Sequence, residues 1–291
     1  MGSNRIRNKK DKEPSVKIYE LLQKHSRLPS HKELQLRTKE PTWENRDFWH
    51  DLDETFKVYR YHCHPRDRAR IISEITRRIM DTAESRRPFE ILDIGTGKGE
   101  NILDIMASLF MQNRRPSALD IVEPSLMARE CALQLLPRYE YGGCLRNAFS
   151  TLEETEERTY DAITLYNAIF YFEPLEESVV YFLHRLKQGG ILIFLYANGF
   201  VDYESVIQDI CDKSGIPHKI TLSVLPLRLF MGEGEIVYKT DMLKTLKRFC
   251  FQSKDLCNNP VSDEEFIEIL RACSEDGFVD YEHRLLTIQV R

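Results

Sequence analysis

No apolar run in these 291 residues approaches the ~18 that a bilayer span requires. A membrane partner is therefore not expected. The N-terminal string MGSNRIRNKKDKEP is basic but has no apolar core behind it. It does not read as a secretory signal, and a cytoplasmic location is expected. No Cys-x-x-Cys pair occurs. The seven cysteines are an odd number, scattered from Cys63 to Cys273. That pattern argues against a disulfide framework or zinc ribbon and suits reduced, mostly buried thiols. His62-Cys63-His64 is the one local cluster of ligand-type side chains. Adjacent residues seldom point at one ion, so no metal is expected there. Charge of one sign is not in large excess either. Lys+Arg number 41 against 46 Asp+Glu, a net charge of −5, which disfavours a uniformly basic nucleic-acid binder but leaves a local patch open. Tryptophan is scarce: the two present, Trp43 and Trp49, share an aromatic stretch over 43–61 with Phe48, Phe56, Tyr59 and Tyr61. There are no internal repeats.

What remains is enough apolar sequence, 42% of residues, to bury a sizeable core. Residues 1–15 read as a disordered tail. Residues 16–87 read as an N-terminal helical cap. Within it, helical spacing appears over 16–26 and again from Pro65 to Met80, where Ile71, Ile72, Ile75 and Ile79 share a face. From residue 88 to 291 the rhythm changes to alternating strands and helices. Strands are expected over Phe89–Ile94, Ser117–Val122, Tyr160–Tyr166 and Ile191–Tyr196, with a weak one over Tyr141–Leu145 and a closing one over His283–Val290. Helices are expected over Asn101–Met111, 125–136, Glu176–Leu186, 203–214, Thr240–Phe249 and Ser262–Cys273. Lys219–Tyr238 is open between strand and cover, inside a substrate-covering insertion placed at about 216–260. The alternation predicts an α/β fold, a Rossmann-like, seven-stranded, mostly parallel sheet with helices on both faces.

The sharpest local feature is Asp93-Ile94-Gly95-Thr96-Gly97-Lys98-Gly99-Glu100, a strand running into a Gly-rich turn and a helix. Glycines let the backbone turn tightly and approach a ligand, and the helix start offers free N–H groups. Glu123 ends the next strand, where an acid can accept both hydroxyls of a ribose. A nicotinamide fold prefers Gly-x-Gly-x-x-Gly with its acid ~20 residues on. Here Glu100 stands where the third glycine would be, and Glu123 lies 28 positions beyond Gly95.

Glu90–Glu100 resembles the first motif of class I S-adenosylmethionine-dependent methyltransferases, with the likeness covering about 88–200. The resemblance implies S-adenosyl-L-methionine as cofactor. Asp93, Gly95, Thr96 and Gly97 would hold its methionine part. Glu123 would take the ribose hydroxyls with Pro124 and Ser125 along that edge, and Asn147 and Ala148 would sit by the adenine. Tyr166 would face the cofactor at the end of the fourth strand. Val122-Glu123-Pro124-Ser125, Asn167 and Phe170-Tyr171 together are similar to the histamine N-methyltransferase group. That implies a small-molecule acceptor, an amine or imidazole, methylated at nitrogen rather than oxygen, with Asn167, Tyr171 and His62 as candidate catalytic residues. Two other readings stay open. One is an RNA or protein methyltransferase using the Arg-rich 66–87 stretch, whose interleaved acids favour the blander account of a solvated helix face. The other is a non-catalytic scaffold that binds the cofactor.

Overall fold

The computed structural model describes residues 60, 63–83, 88–155, 158–169, 172, 174–197, 203–230, 243, 262–275 and 277–291. The 1–15 tail, the 16–26 and Thr240–Phe249 helices and the Trp43/Trp49 stretch lie outside the described residues.

Helix α1 (Pro65–Ala83) is followed by β1 (Glu90–Ile94), α2 (Glu100–Met111), β2 (Ala118–Val122), α3 (Leu126–Leu135), β3 (Leu145–Phe149) and β4 (Tyr160–Tyr166). Then come α4 (Leu175–His184), β5 (Leu186–Ala197), α5 (Tyr203–Ser214), β6 (His218–Phe230), α6 (Asp263–Cys273), a two-residue β7 (Ser274–Glu275) and β8 (Phe278–Val290). The sheet order is β3-β2-β1-β4-β5-β8-β6, with β7 paired to β8 alone. Neighbours from β3 to β5 are parallel, and β8 runs antiparallel to β5 and β6. The expected mostly parallel, seven-stranded sheet is therefore present, with β7 as a short addition.

The central strands are apolar on both faces because helices cover both. Ile91, Ile193 and Leu195 join a core with α1, α2 and α6. Leu92, Ile163 and Phe194 join the opposite core with α4 and α5. Helix α1 belongs to this body: Ile71, Ile75 and Ile79 are almost fully buried in the first core, each burial worth about 2 kcal/mol. Its outer face is stapled by Arg77 to Glu74 and Asp81.

One expectation needs correction. The weak strand expected over Tyr141–Leu145 is a 3-10 turn over Glu140–Cys144, and the strand follows at Leu145–Phe149. Gly142-Gly143 favours the turn. β3 is an outer strand, part-exposed, so Arg146 and Asn147 replace the apolar run that marks a buried strand. The open segment from Lys219 resolves, as far as Phe230, into sheet: β6 pairs with β8 along its whole length. This part of the 216–260 stretch closes the sheet.

β6 and β8 also outrun the other strands. Ala197, last in β5, pairs with His283, and His283 pairs with Leu225. The ribbon continues to the Phe230–Phe278 pair, about 16 Å beyond the ends of its neighbours. Cys63 bridges to Leu229 near the tip, and Arg228 binds Asp67 of α1 at 2.9 Å.

Candidate active site

The Gly-rich turn lies at the carboxyl edge of β1, between the ends of β2 and β4. Gly95 has φ +69 and its N–H donates to Val122 O at 2.9 Å. A Cβ on Gly95 would meet the Ala168 Cβ at 2.6 Å, so this position tolerates only hydrogen. The Thr96 hydroxyl closes the turn by donating to Asp93 O at 3.0 Å. Gly97, at φ +58, has open space on its Cβ side. Gly99 (φ +88) precedes the first turn of α2, whose N–H groups and dipole favour an anionic or polar ligand group.

Glu123 does more than wait at the end of β2. Its Oε2 accepts from Gly97 N at 2.7 Å and its Oε1 from Ser125 N at 2.9 Å. The carboxylate thus ties the β1–α2 turn to the start of α3. A carboxylate offers about four lone-pair sites, so it can accept more than these two bonds. Ser125 also caps α3, its hydroxyl accepting from Ala128 N. The Pro124 carbonyl is reached by Arg129 at 3.5 Å.

Asp93 is buried on the α1/α2 side. Burial pushes its carboxyl up to about 6, the Thr164 and Thr96 hydroxyls pull it back, and the charge of Glu123 adds to the rise. Thr164 donates to Asp93 Oδ1 at 2.6 Å. Two acids held close at one edge, one of them poorly compensated, form a site that a cationic group would relieve.

Asn167, one residue past β4, is 3% exposed with φ +53. Its backbone N–H donates to Leu195 O at 2.7 Å, but neither Oδ1 nor Nδ2 has a hydrogen-bond partner. An unsatisfied buried polar group costs about 1–3 kcal/mol, and a left-handed non-glycine adds of order 1 kcal/mol. Strain and unmet polarity coincide beside the Gly95 turn, because Ala168, the next residue, packs on Gly95.

Asp93, Gly95, Thr96, Gly97, Glu123, Pro124, Ser125, Tyr166 and Asn167 are thus all gathered at the ends of β1, β2 and β4. Burial pushes the Tyr166 phenol upward, with Arg68 and Arg60 partly opposing. Asn147 does not join them. Its amide donates to Asp120 Oδ1 at 2.8 Å, two residues before the end of β3, because that fully buried carboxylate collects donors. Ala148 packs against the α1/α2 core. His62 and Tyr171 lie outside the described residues. His64 sits instead on the ribbon, its ring 5.7 Å from that of Phe278.

Two contributors escaped the sequence reading, Thr164 and Ala168. Thr164 is Asp93's register partner on β4, so parallel pairing of the two strands was the signal that could have found it. Ala168 had no signal beyond small size.

Four of the five arginines of α1 are engaged within the molecule, and Arg66 is exposed. Arg68 binds Asp104 and Asn101, Arg70 the Pro226 carbonyl, Arg77 Glu74 and Asp81, and Arg78 Glu74 and Ser223. Cys63, Cys131, Cys144 and Cys211 form no disulfide, and burial pushes Cys211 up to about 11. No helix among the described residues is long and apolar enough to cross a membrane.

No family model and no curated protein matches the chain. Solved structures do. The plantazolicin methyltransferase BpumL in complex with SAH is 16% identical, covering 89% of this chain and 97% of its own, with a TM-score of 0.51. BpumL with a pentazolic desmethylPZN analog and SAH is 17% identical over 89% and 98% of the two chains, also at 0.51. The YcgJ protein from Bacillus subtilis is 15% identical over 78% and 99%, at 0.49. At such identity the likeness to BpumL is one of fold: the chain has the Rossmann-like architecture of that methyltransferase.

Proposed function

We propose that this chain is an S-adenosylmethionine-dependent methyltransferase acting on a small-molecule acceptor, at nitrogen rather than oxygen. The observation that carries the reading is the Glu123 carboxylate bound to Gly97 N and Ser125 N, beside the buried Asp93 and open space over Gly97. These residues fit the cofactor. Glu123 has acceptor capacity for ribose hydroxyls, and Asp93 would compensate the cofactor's positive charge. The start of α2 offers N–H groups. Bound S-adenosylmethionine would supply an electrophilic methyl group, leaving the protein to orient the acceptor and exclude water. That BpumL was crystallised with SAH adds support. The engagement of Arg68, Arg70, Arg77 and Arg78 with neighbouring acids, amides, hydroxyls and carbonyls leaves little free positive charge on α1 and favours a small acceptor over RNA.

Calorimetry with SAH tests the proposal. The wild-type chain binds it, and Gly97→Arg abolishes binding while the protein stays folded: the new side chain enters open space, and the left-handed backbone (φ +58) costs on the order of 1 kcal/mol. No binding by wild type, or equal binding by Gly97→Arg, sinks the reading. Binding without turnover over a broad amine panel would instead identify a scaffold. Salt-sensitive retention on tRNA would move the substrate class to RNA.

A further inference from the structure

Two neighbours in the first turn of α1, Asp67 and Arg68, bond in opposite directions. The buried Asp67 carboxylate accepts from Arg228 of β6 through its backbone N–H at 3.2 Å, its Nε at 2.9 Å and a terminal nitrogen at 3.4 Å. Arg228 lies near the tip of the ribbon that overhangs the carboxyl edge of the sheet. The Arg68 guanidinium turns to α2 instead, donating to the Asn101 side chain at 3.3 Å and to Asp104. Arg60 adds bonds to Glu100 at 2.7 Å and to Asp104 at 3.4 Å. These partners sit at the start of α2, the end that offers N–H groups to a ligand. The turn before it has three glycines at positive φ, Gly95, Gly97 and Gly99, so the backbone alone holds the helix start loosely. On one flank Gly99 packs against Ala132 of α3. On the other stand the two arginines. Tyr166, at the end of β4, is buried within electrostatic reach of Arg68, Arg60 and Asp104, which puts these braces at the candidate site.

Resting on the methyl-transfer reading above, we infer that Arg68 is a positioning residue for the cofactor, and that Asp67 beside it makes that position depend on the ribbon. The two residues move as one piece. Their backbone N–H groups both donate to His64 O, at 3.0 and 3.1 Å, and His64 N donates in turn to Arg228 O at 2.8 Å. The ribbon tip is thus fastened to the first turn of α1 through backbone and side chain together. A shift of the tip carries the start of α1 with it, and with that the guanidinium that fixes the start of α2. The ion pairs further along α1 differ: Arg77 bonds Glu74 and Asp81 of its own helix. Asp67 and Arg68 each reach a different element, one on the ribbon and one on the cofactor side. An acceptor that displaces the ribbon therefore changes cofactor affinity, and the cofactor changes acceptor affinity by the same factor.

A double-mutant cycle on SAH affinity, measured by calorimetry on the full chain, tests the inference. Arg68→Ala is expected to weaken SAH binding about fivefold. Arg228→Ala, on the ribbon, weakens it by a similar factor, and the double variant binds no more weakly than Arg68→Ala alone. Arg78→Ala is the control. Arg78 also ties α1 to β6, donating to Ser223 at 2.9 Å, but from about three turns further along the helix. It lowers Tm and leaves SAH affinity at the wild-type value. Each affinity is taken at a temperature where near-UV circular dichroism shows the variant folded. Should Arg228→Ala not fold, Arg228→Lys takes its place, keeping the charge and losing the fork on Asp67, with the same expected direction. Wild-type SAH affinity in Arg68→Ala or in the Arg228 variant overturns the inference. So do losses that multiply in the double variant, and so does an equal loss in Arg78→Ala. Failure of the wild-type chain to bind SAH overturns the methyl-transfer reading and this inference with it. Where the wild type binds, the cycle decides this inference alone.

Discussion

Asp120 and Asp93 are buried carboxylates on adjacent strands of one sheet, yet they sit in opposite electrostatic states. Asp120, in the middle of β2, receives two bonds from Arg146 at 3.1 and 2.7 Å, one from Asn147 at 2.8 Å, one from Tyr160 OH at 2.9 Å and a longer one from Arg158 at 3.5 Å. These donors overcome desolvation and hold its carboxyl below the usual range. Asp93, at the end of β1, is pushed up by burial, has the Thr164 and Thr96 hydroxyls against it and a like-charged neighbour, and its carboxyl rises to about 6. The first acid is saturated from within the fold. The second is left for something outside it. Buried charge that is fully bonded marks structure, and buried charge that is under-bonded at a sheet's carboxyl edge marks a site.

Removing the saturated acid gives the largest expected effect. Asp120→Ala strips the acceptor from the buried Tyr160 hydroxyl and from Arg146, which keeps only Glu90 at 3.0 Å. Loss of stability of about 3 kcal/mol is expected, toward the low end for a broken buried pair because Arg146 is partly solvated. Urea unfolding would show it, with SAH affinity retained by the folded fraction. A stability change under 1 kcal/mol would mean that the network is ornamental.

The two acids also respond oppositely to pH. Asp120's folded pKa is depressed, so its contribution is present above the unfolded carboxylate pKa and lost as pH falls through the folded one. Asp93's folded pKa is raised, so its ionisation destabilises the fold progressively as pH rises from the unfolded value of 3.8 toward 6. A cationic ligand beside Asp93 reverses the second effect, since it favours the ionised form. S-Adenosylmethionine affinity is therefore expected to rise about tenfold between pH 5 and pH 7, and Asp93→Asn should flatten that profile and weaken binding at neutral pH. A flat wild-type profile would dissociate Asp93 from the cofactor.

The contrast was only half legible in the sequence. Asp93 and Glu123 announced themselves, because an acid ending an apolar strand before a glycine turn is a local pattern. The strands β1, β2, β4 and β5 were readable for the same reason: each is a short apolar run, buried on both faces. β3 was not, since an outer strand carries Arg146 and Asn147 in place of an apolar run. The Asn147 amide donates to Asp120, a partner its place in the sequence does not announce. That partnership is a contact between strands 27 residues apart, visible only once register is known. Asn167's unpaired amide was equally hidden, because a residue's type does not reveal whether its neighbours satisfy it.

The finest test of the comparison changes a single donor. Thr164→Val keeps the β-branched shape in a buried strand position and removes only the hydroxyl that bonds Asp93 at 2.6 Å. With less opposition to burial, Asp93's pKa should climb above its present value near 6. The pH midpoint of S-adenosylmethionine binding should then move upward by roughly one unit, the size expected when one hydrogen bond to a charged form is lost. Calorimetric titrations at a series of pH values would measure the shift. If the midpoint stays while Asp93→Asn abolishes the dependence, Thr164 is a packing residue and Asp93 is tuned by burial, Thr96 and Glu123. If it moves, the difference between the two aspartates reduces to a count of donors, five bonds on one and two hydroxyls on the other. The under-bonded state of Asp93 is then the property that prepares this edge of the sheet for a cation.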